Sequence, residues 1–211
     1  MRLSAIDIKK GINKGSITVD PLFPNAIQPA TVDLHLGRHF LVFEASNLKS
    51  LDLTKPMEEH MRKVTLDENH PEFVLHPHKF ALGITHELIG TDLGHCCKID
   101  GISSIARAGI FVHITASNIN PGHKLHVTLE LFNALEVPVA LHWGMPIAQM
   151  EFYQLKTPLT KNDVYKGNFS TVSKQSPTAS QYFKNYLPEK SEWIKFMCKI
   201  HGINPITFER T

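Results

Sequence analysis

Short stretches in which apolar and polar residues alternate recur along most of the chain. In the first, Val32, Leu34 and Leu36 alternate with polar residues, which predicts a strand with one buried face. A second strand is predicted at 39–43, after a turn at Gly37-Arg38. Further short apolar runs lie at 73–75, 79–85, 98–99, 110–115, 124–133, 137–141 and 147–153. Gly, Pro or Asn separates most of these runs, and this recurrence favours a β barrel or sandwich over alternating βαβ units.

Local signals also predict a few short helices. Ser4 is suited to cap a helix over residues 5–13, and Gly15 is suited to end it. Single helical turns are expected near 57–62 and at 103–108, and apolar residues at helical spacing predict a C-terminal helix within 189–201. Residues 17–29, with three prolines, are predicted to be an irregular connection, and the polar stretch 165–180 a loop or mobile arm.

These elements indicate one main domain over residues 1–182 and a helical extension over residues 183–211. A chain of 211 residues suits one compact domain with an appendage.

Composition narrows the classes of function. A net charge of +2 gives no argument for nucleic acid or membrane binding, and no stretch approaches the ~18 apolar residues of a membrane span. Three cysteines, two of them adjacent, do not form a disulfide framework, and reduced thiols are typical of the cytosol. The N-terminal residues lack the apolar run of a signal peptide. We therefore expect a cytoplasmic protein with neither a nucleic acid nor a membrane as partner.

Thirteen histidines raise the question of a metal site. Zinc-dependent nucleobase deaminases need a His-x-Glu segment followed by Pro-Cys-x-x-Cys, and the sequence has no Pro-Cys-x-x-Cys. His86-Glu87 begins like a zinc-protease helix but lacks the second histidine. We expect no zinc and no other protein-bound metal.

The segment 100–133 carries the most specific pattern. It resembles dCTP deaminases, in which a Gly-Arg-Ser-Ser-Leu-Ala-Arg-Leu-Gly run is followed by Val-His-x-Thr-Ala, Ile-Asp-Pro-Gly and Leu-Glu. The matching residues are Gly101, Ser103-Ser104, Ala106-Arg107, Gly109, Val112-His113, Thr115-Ala116, Ile119, Pro121-Gly122 and Leu129-Glu130. Residues 1–8, 30–37, 144–149 and 175–180 are also similar to that family, so the resemblance extends from residue 1 to about residue 182.

The resemblance implies both a fold and a reaction. The fold would be mainly β, a dUTPase-like distorted barrel (β-clip) with short helices, assembled as a homotrimer with sites between subunits. The reaction would be the hydrolytic deamination of dCTP to dUTP and ammonia, a hydrolase step at the C–N bond of a cyclic amidine that feeds thymidylate synthesis. Mg²⁺ would accompany the triphosphate rather than perform the deamination.

Glu130 is the candidate catalytic group. Without zinc, a carboxylate must take a proton from water and pass one to the leaving nitrogen. Strand alternation puts Val127, Leu129 and Leu131 on one face and Glu130 on the other, with Thr128 and Phe132. Spacing alone favours an ordinary exposed strand glutamate, and the resemblance to dCTP deaminases reverses that preference.

The resemblance assigns supporting roles around this carboxylate. Ser103 and the main-chain carbonyl of Ala116 would help Glu130 to hold the water, and Arg107 would orient Glu130. Arg107 could instead be a solvated side chain. Ser103 and Ser104 could cap a helical turn, bind phosphate, or do both.

Further residues would bind the substrate. His113 and Thr115 would line the base or sugar pocket, although either could be a packed strand residue. Asn120 stands where the family has aspartate. An asparagine can bond a 3′-hydroxyl but cannot act as a base, which argues against efficient dUTP hydrolysis.

The phosphate side departs most from the family pattern. Ile102 replaces an arginine expected to bind the triphosphate, and Lys124, Lys166 or Lys174 could compensate. Gln175 begins the segment that resembles the family's nucleotide-closing arm. Two other functions remain open: a dUTP diphosphatase or bifunctional enzyme, and a non-catalytic nucleotide-binding regulator, which Ile102 favours. Inhibition by dTTP is a further open expectation.

Overall fold

The structure is a computed structural model that describes residues 1–44, 49–165, 175–186, 192–202 and 204. Contacts divide the chain into two units, one of residues 1–43 and 62–178 and the other of residues 44–61 and 179–211.

Most of the regular secondary structure in the first unit is strand. This unit contains helix α1 (Ala5–Lys14) and strands β1 (Ile17–Asp20), β2 (Val32–His35), β3 (His39–Phe43), β4 (Met61–Thr65), β5 (Glu72–Leu75), β6 (Phe80–Thr91) and β7 (His95–Gly101). Met61, the first residue of β4, is assigned to the second unit. The short helix α2 (Ser103–Arg107) precedes β8 (Ile110–Phe111), β9 (Asn118–Ile119), β10 (Lys124–Asn133), β11 (Val139–His142) and β12 (Pro146–Gln154). The prediction of a mainly β fold with short helices is confirmed.

Three sheets share one core. The largest has the order β4-β3-β6-β10-β8, with β1 also paired to β6, and the others have the orders β2-β12-β7-β9 and β11-β5. Leu34, Phe40, Ile89, Leu129 and Phe152, which come from strands of the two larger sheets, are fully buried in the same apolar cluster. Because each strand is apolar on its core face, the alternation read from the sequence sets which side chains remain outside the core.

Helix α1 follows its local signals. The Ser4 hydroxyl accepts a hydrogen bond from the main-chain N–H of Asp7 at 3.3 Å, and Gly15 ends the helix in the left-handed conformation. Both predicted caps are confirmed.

Other predicted bounds were wrong. Residues 17–20 form strand β1, in which Ile17 and Val19 are buried and Ile17 lies opposite Thr91, so the connection begins only at Pro21. The predicted strand at 110–115 covers only Ile110–Phe111, because only these two residues of the run pair with β10. Ser103 and Ser104 do not cap α2: they are its first two residues, and Ile102 occupies the cap position without a side-chain hydrogen bond.

The second unit contains a 3₁₀ turn at Glu58–His60, another at Tyr182–Tyr186, and helix α3 (Glu192–His201). The predicted C-terminal helix is confirmed. Cys198 is buried on α3, while Phe196 and Ile200 are exposed. None of the helices in the described parts of the chain is long and apolar enough to cross a membrane.

Candidate active site

Glu130 projects from the middle of β10 on the face opposite the core. Val127, Leu129 and Leu131 are buried, whereas Glu130 and its neighbours on the same face are only partly buried. The predicted alternation is confirmed. A carboxylate in this position is sheltered by the sheet but still open to a ligand.

The segment that follows β8 is fastened to β10 at Glu130. The main-chain N–H of Glu130 donates to the carbonyl of Val112 at 3.0 Å, and Glu130 Oε2 accepts a hydrogen bond from the main-chain N–H of Ile114 at 2.8 Å. Among the described residues, Oε1 has no hydrogen-bond partner. One carboxylate oxygen is therefore fixed, and the other is available to water or substrate.

The amide of Ile114 had no signal in the sequence. Every residue except proline has a main-chain N–H, so residue type cannot reveal which amide will meet a carboxylate. The contact depends on how residues 112–114 lie along β10, which is a property of the tertiary structure.

His113, which lies within this segment, contacts the side chain of Asp100. The Nε2 atom of His113 is 3.4 Å from Asp100 Oδ1, which also accepts the main-chain N–H of Gly101 at 2.7 Å. The Nδ1 atom of His113 is buried and has no hydrogen-bond partner among the described residues. It can serve a bound polar group, and Asp100 is a contact that sequence reasoning missed. Thr115 and Ala116, just beyond, are exposed.

The candidate side chains on α2 make no hydrogen bond or ion pair with Glu130 within one chain. Ser103, Ser104 and Arg107 are exposed, and their side chains make no hydrogen bond or ion pair with any described residue. The structure of a single chain therefore brings residues 112–114 to Glu130, but it does not join the α2 side chains to it.

Two cavities hold the remaining described candidates. Asn120 lines a cavity of about 550 Å³ together with Lys98, Asn118 and Tyr153. Gln175 lines a different cavity of about 180 Å³, beside Arg38, His86 and Trp143.

The described parts of the chain include only some of the residues predicted to bind the phosphates. Lys124 is exposed at the start of β10. Lys166 and Lys174 lie outside the described residues. Beyond Gln175, the main-chain N–H of Thr178 donates to Thr128 Oγ1 at 3.3 Å, so the arm meets β10 two residues from Glu130.

No group of three or more His, Cys, Asp or Glu side chains is arranged to hold a metal ion within the described parts of the chain. Independently of this, Glu130 and its neighbours carry groups that can transfer protons and form hydrogen bonds.

The fold is mainly β and carries the carboxylate of Glu130 on the outer face of a strand, and comparison with known proteins shows the family to which such a chain belongs. The family model described as dCTP deaminase-like matches residues 2–155. The chain belongs to this family, and the predicted resemblance is confirmed.

Two relatives show how far the similarity extends. The chain is 37% identical over 183 residues to "dCTP deaminase, dUMP-forming" of Dictyoglomus thermophilum, covering 86% of this chain and 94% of the relative. It is 36% identical over 187 residues to the protein of the same name from Bifidobacterium longum, covering 88% and 96%. These names give dUMP as the product of those relatives, whereas dUTP is the product expected from the resemblance in the sequence.

A solved structure supports the fold. The crystal structure of 2′-deoxycytidine 5′-triphosphate deaminase from Agrobacterium tumefaciens matches with a TM-score of 0.58 and 17% identity. The match covers 77% of this chain and 50% of that chain. At this level of identity the likeness concerns the fold alone.

Proposed function

We propose that the protein is an enzyme that deaminates dCTP at C4 of the cytosine, with water as the nucleophile. The observation that carries the proposal is the half-buried carboxylate of Glu130, which has one oxygen held by the Ile114 amide and the other available. Membership of the dCTP deaminase-like family supports it, as do the printed names of the relatives.

The proton transfers can be assigned to Glu130. As the oxygen of water forms a bond to C4, Glu130 takes a proton from that water. It then delivers that proton to the exocyclic nitrogen, the remaining proton of the water passes to N3, the C4–N bond breaks, and ammonia leaves as the C4 carbonyl forms. In total, dCTP and water give dUTP and ammonia. The hydroxyl of Ser103 and the carbonyl of Ala116 would position the water, and Arg107 would orient Glu130.

The position of α2 favours an assembled site. Because Ser103 and Arg107 make no hydrogen bond with Glu130 within one chain, a neighbouring copy would supply them. This fits the proposed homotrimer with sites between subunits. His113 and Thr115 would then face the base or sugar, with the unpaired Nδ1 of His113 as a polar contact.

The phosphate side is proposed to include Ser104, Lys166, Lys174 and Gln175, with Asn120 at the sugar. Mg²⁺ would arrive as part of the nucleotide complex, and the proposed proton transfers require no zinc. The cytoplasm is the proposed location, and inhibition by dTTP remains an expectation.

A second candidate is a bifunctional enzyme that also releases pyrophosphate, with dUMP as the final product. The names of the relatives favour it. Asn120 counts against it if the base for the second hydrolysis has to stand at that position, because an amide cannot accept the proton.

A product assay tests both candidates. The purified protein would be incubated with Mg²⁺ and, separately, dCTP, dCMP, deoxycytidine and dUTP, with ammonia, nucleotides and pyrophosphate measured. Ammonia from dCTP with dUTP as the product supports deamination alone, and dUMP with pyrophosphate supports the bifunctional enzyme. Absence of ammonia from dCTP would refute the proposed function.

A further inference from the structure

The cavity that holds Asn120 has the size and lining of a ligand site. Its volume of about 550 Å³ lies within the range of roughly 300–1,000 Å³ typical of small-molecule pockets. Ile119, Leu155 and Leu159 give it an apolar wall, and Lys98, Asn118 and Asn120 provide polar groups. Such a lining suits a molecule with an apolar body and a charged end.

The thiols in the wall are neutral. Burial raises the pKa of Cys97 far above its ordinary value, and burial also raises the pKa of Cys96. No carboxylate side chain lines the cavity within the described part of the chain. Lys98 is therefore the charged group that faces this space.

The nearest cross-strand carboxylate is already engaged. Glu151 on β12 lies directly opposite Lys98 on β7. Its Oε1 is 3.1 Å from Arg2 Nη2, and its Oε2 accepts a hydrogen bond from the Tyr153 hydroxyl. No ion pair joins Lys98 to another described residue. Its ammonium group is thus free to meet an anion.

Two amide side chains line the same cavity as Lys98. Asn118 pairs with Lys98 across β7 and β9, and Asn120 follows two residues later. Both asparagines are exposed. An ammonium group beside two amide groups can bind phosphate and hydroxyl oxygens together.

The cavity is within reach of Glu130 along the chain. Ile114, which is bonded to Glu130, is four residues from Asn118, a separation of at most about 14 Å. One extended nucleotide can therefore have its base near Glu130 and its phosphates near Lys98.

We infer that Lys98 binds a phosphate group of the nucleotide and sets the preference for a phosphorylated substrate. The inference rests on the proposed function for the identity of the ligand. Ile102, which directly follows strand β7, has no side-chain donor for phosphate, and Lys98 supplies a charge from within that strand instead.

Calorimetry on the full chain tests this assignment. Glu130→Gln is used as the background so that the nucleotide stays intact, and Lys98→Met and Lys98→Arg are added to it. The matched control is Lys9→Met, an exposed lysine on α1. Each protein is titrated with dCTP in Mg²⁺ and with deoxycytidine.

Lys98→Met is expected to weaken dCTP binding about tenfold or more, since a hydrogen bond to a charged group is lost, and to leave deoxycytidine binding unchanged. Lys98→Arg should retain most of the affinity, and Lys9→Met should match the background. Unchanged dCTP affinity in Lys98→Met overturns the inference, as does an equal loss for dCTP and deoxycytidine, which would indicate a structural role.

The inference and the proposed function can fail separately. Lys98-dependent dCTP binding by a wild-type protein that releases no ammonia would refute deamination and leave the phosphate site standing. Release of ammonia with an unchanged KM in Lys98→Met, in an otherwise wild-type chain, would refute the phosphate site and leave deamination standing.

Discussion

The carboxylate of Glu130 accepts a hydrogen bond from the main-chain N–H of Ile114 at 2.8 Å. This bond fixes one oxygen of the carboxylate, while the other has no hydrogen-bond partner among the described residues. A general base must be held in one orientation to act efficiently, because misplacement of the proton acceptor raises the barrier. The hydrogen bond from Ile114 therefore holds the Glu130 carboxylate in one orientation.

Removal of the Ile114 amide should therefore slow the reaction without removing the base. Ile114→Pro lacks the N–H, and the lost bond to a charged group corresponds to about 1.5–3 kcal/mol, or about 10–100-fold in kcat. Ile114→Ala keeps the N–H and is the matched control. Steady-state kinetics on dCTP and thermal unfolding of both variants are the measurements. If the two variants are equally active at similar Tm, the amide has no orienting role.

The buried pair of Glu87 and His35 should contribute strongly to stability. Glu87 is 1% exposed, its Oε1 is 2.6 Å from His35 Nδ1, and its carboxylate also accepts the main-chain N–H of His35. Glu87→Ala leaves these donors without a partner, and we expect a loss of about 3–5 kcal/mol in the free energy of unfolding. Urea unfolding measures it. The exposed Glu68→Ala is the control, expected to stay within about 0.5 kcal/mol, and a similarly small effect at Glu87 would contradict the prediction.

Gly15 and Gly109 have similar positive φ angles but different surroundings. Substituting each by alanine therefore distinguishes the cost of backbone strain from the cost of side-chain crowding. Gly15 has φ 76° with open space around it, whereas Gly109 has φ 70° and a Cβ there would lie 2.6 Å from Leu135. Gly15→Ala is expected to cost about 1 kcal/mol from the left-handed conformation alone. Gly109→Ala should cost clearly more, because the Leu135 side chain must also move. Equal losses in the free energy of unfolding of the two variants, measured in urea, would show that the Leu135 side chain moves without cost and would contradict the prediction.

Because of His123, the free energy of unfolding is expected to fall at low pH. Burial lowers its pKa below the ordinary value of 6.5, and its Nε2 atom is buried without a partner among the described residues. The unfolded chain therefore binds a proton more readily than the folded one, so stability falls as the pH drops below about 6.5. His123→Phe should reduce this slope. Free energies of unfolding at pH 7.5 and 5.5 test it, and an identical slope in the variant would contradict the assignment.

How far the sequence predicts the fold depends on how local each signal is. Strand β10 matches its predicted bounds because apolar and polar residues alternate in its sequence from Leu125 to Leu131. Strand β1 was missed because the prolines after it dominate the local pattern. Strand β6 was predicted to end at residue 85 but continues to Thr91, since the polar Glu87 inside it is accommodated by His35 from a distant strand.

In the candidate active site, too, local features could be predicted from the sequence and long-range contacts could not. The family resemblance identifies Glu130, and alternation predicts its face. The bond of the Ile114 amide to Glu130, the contact between His113 and Asp100, and the cavity around Lys98 each join segments that are not adjacent in sequence. No local pattern records which atoms such strands bring together.

The most direct test of the central claim compares ammonia release from dCTP by the wild-type protein, Glu130→Gln and the exposed control Glu68→Gln. The carboxamide introduced by Glu130→Gln can still accept the Ile114 N–H through its carbonyl oxygen, so the fold and dCTP binding should persist. Loss of general acid–base catalysis predicts a fall in kcat of about 10²–10⁴-fold in Glu130→Gln and none in the control. Deamination by Glu130→Gln at the wild-type rate would contradict the account.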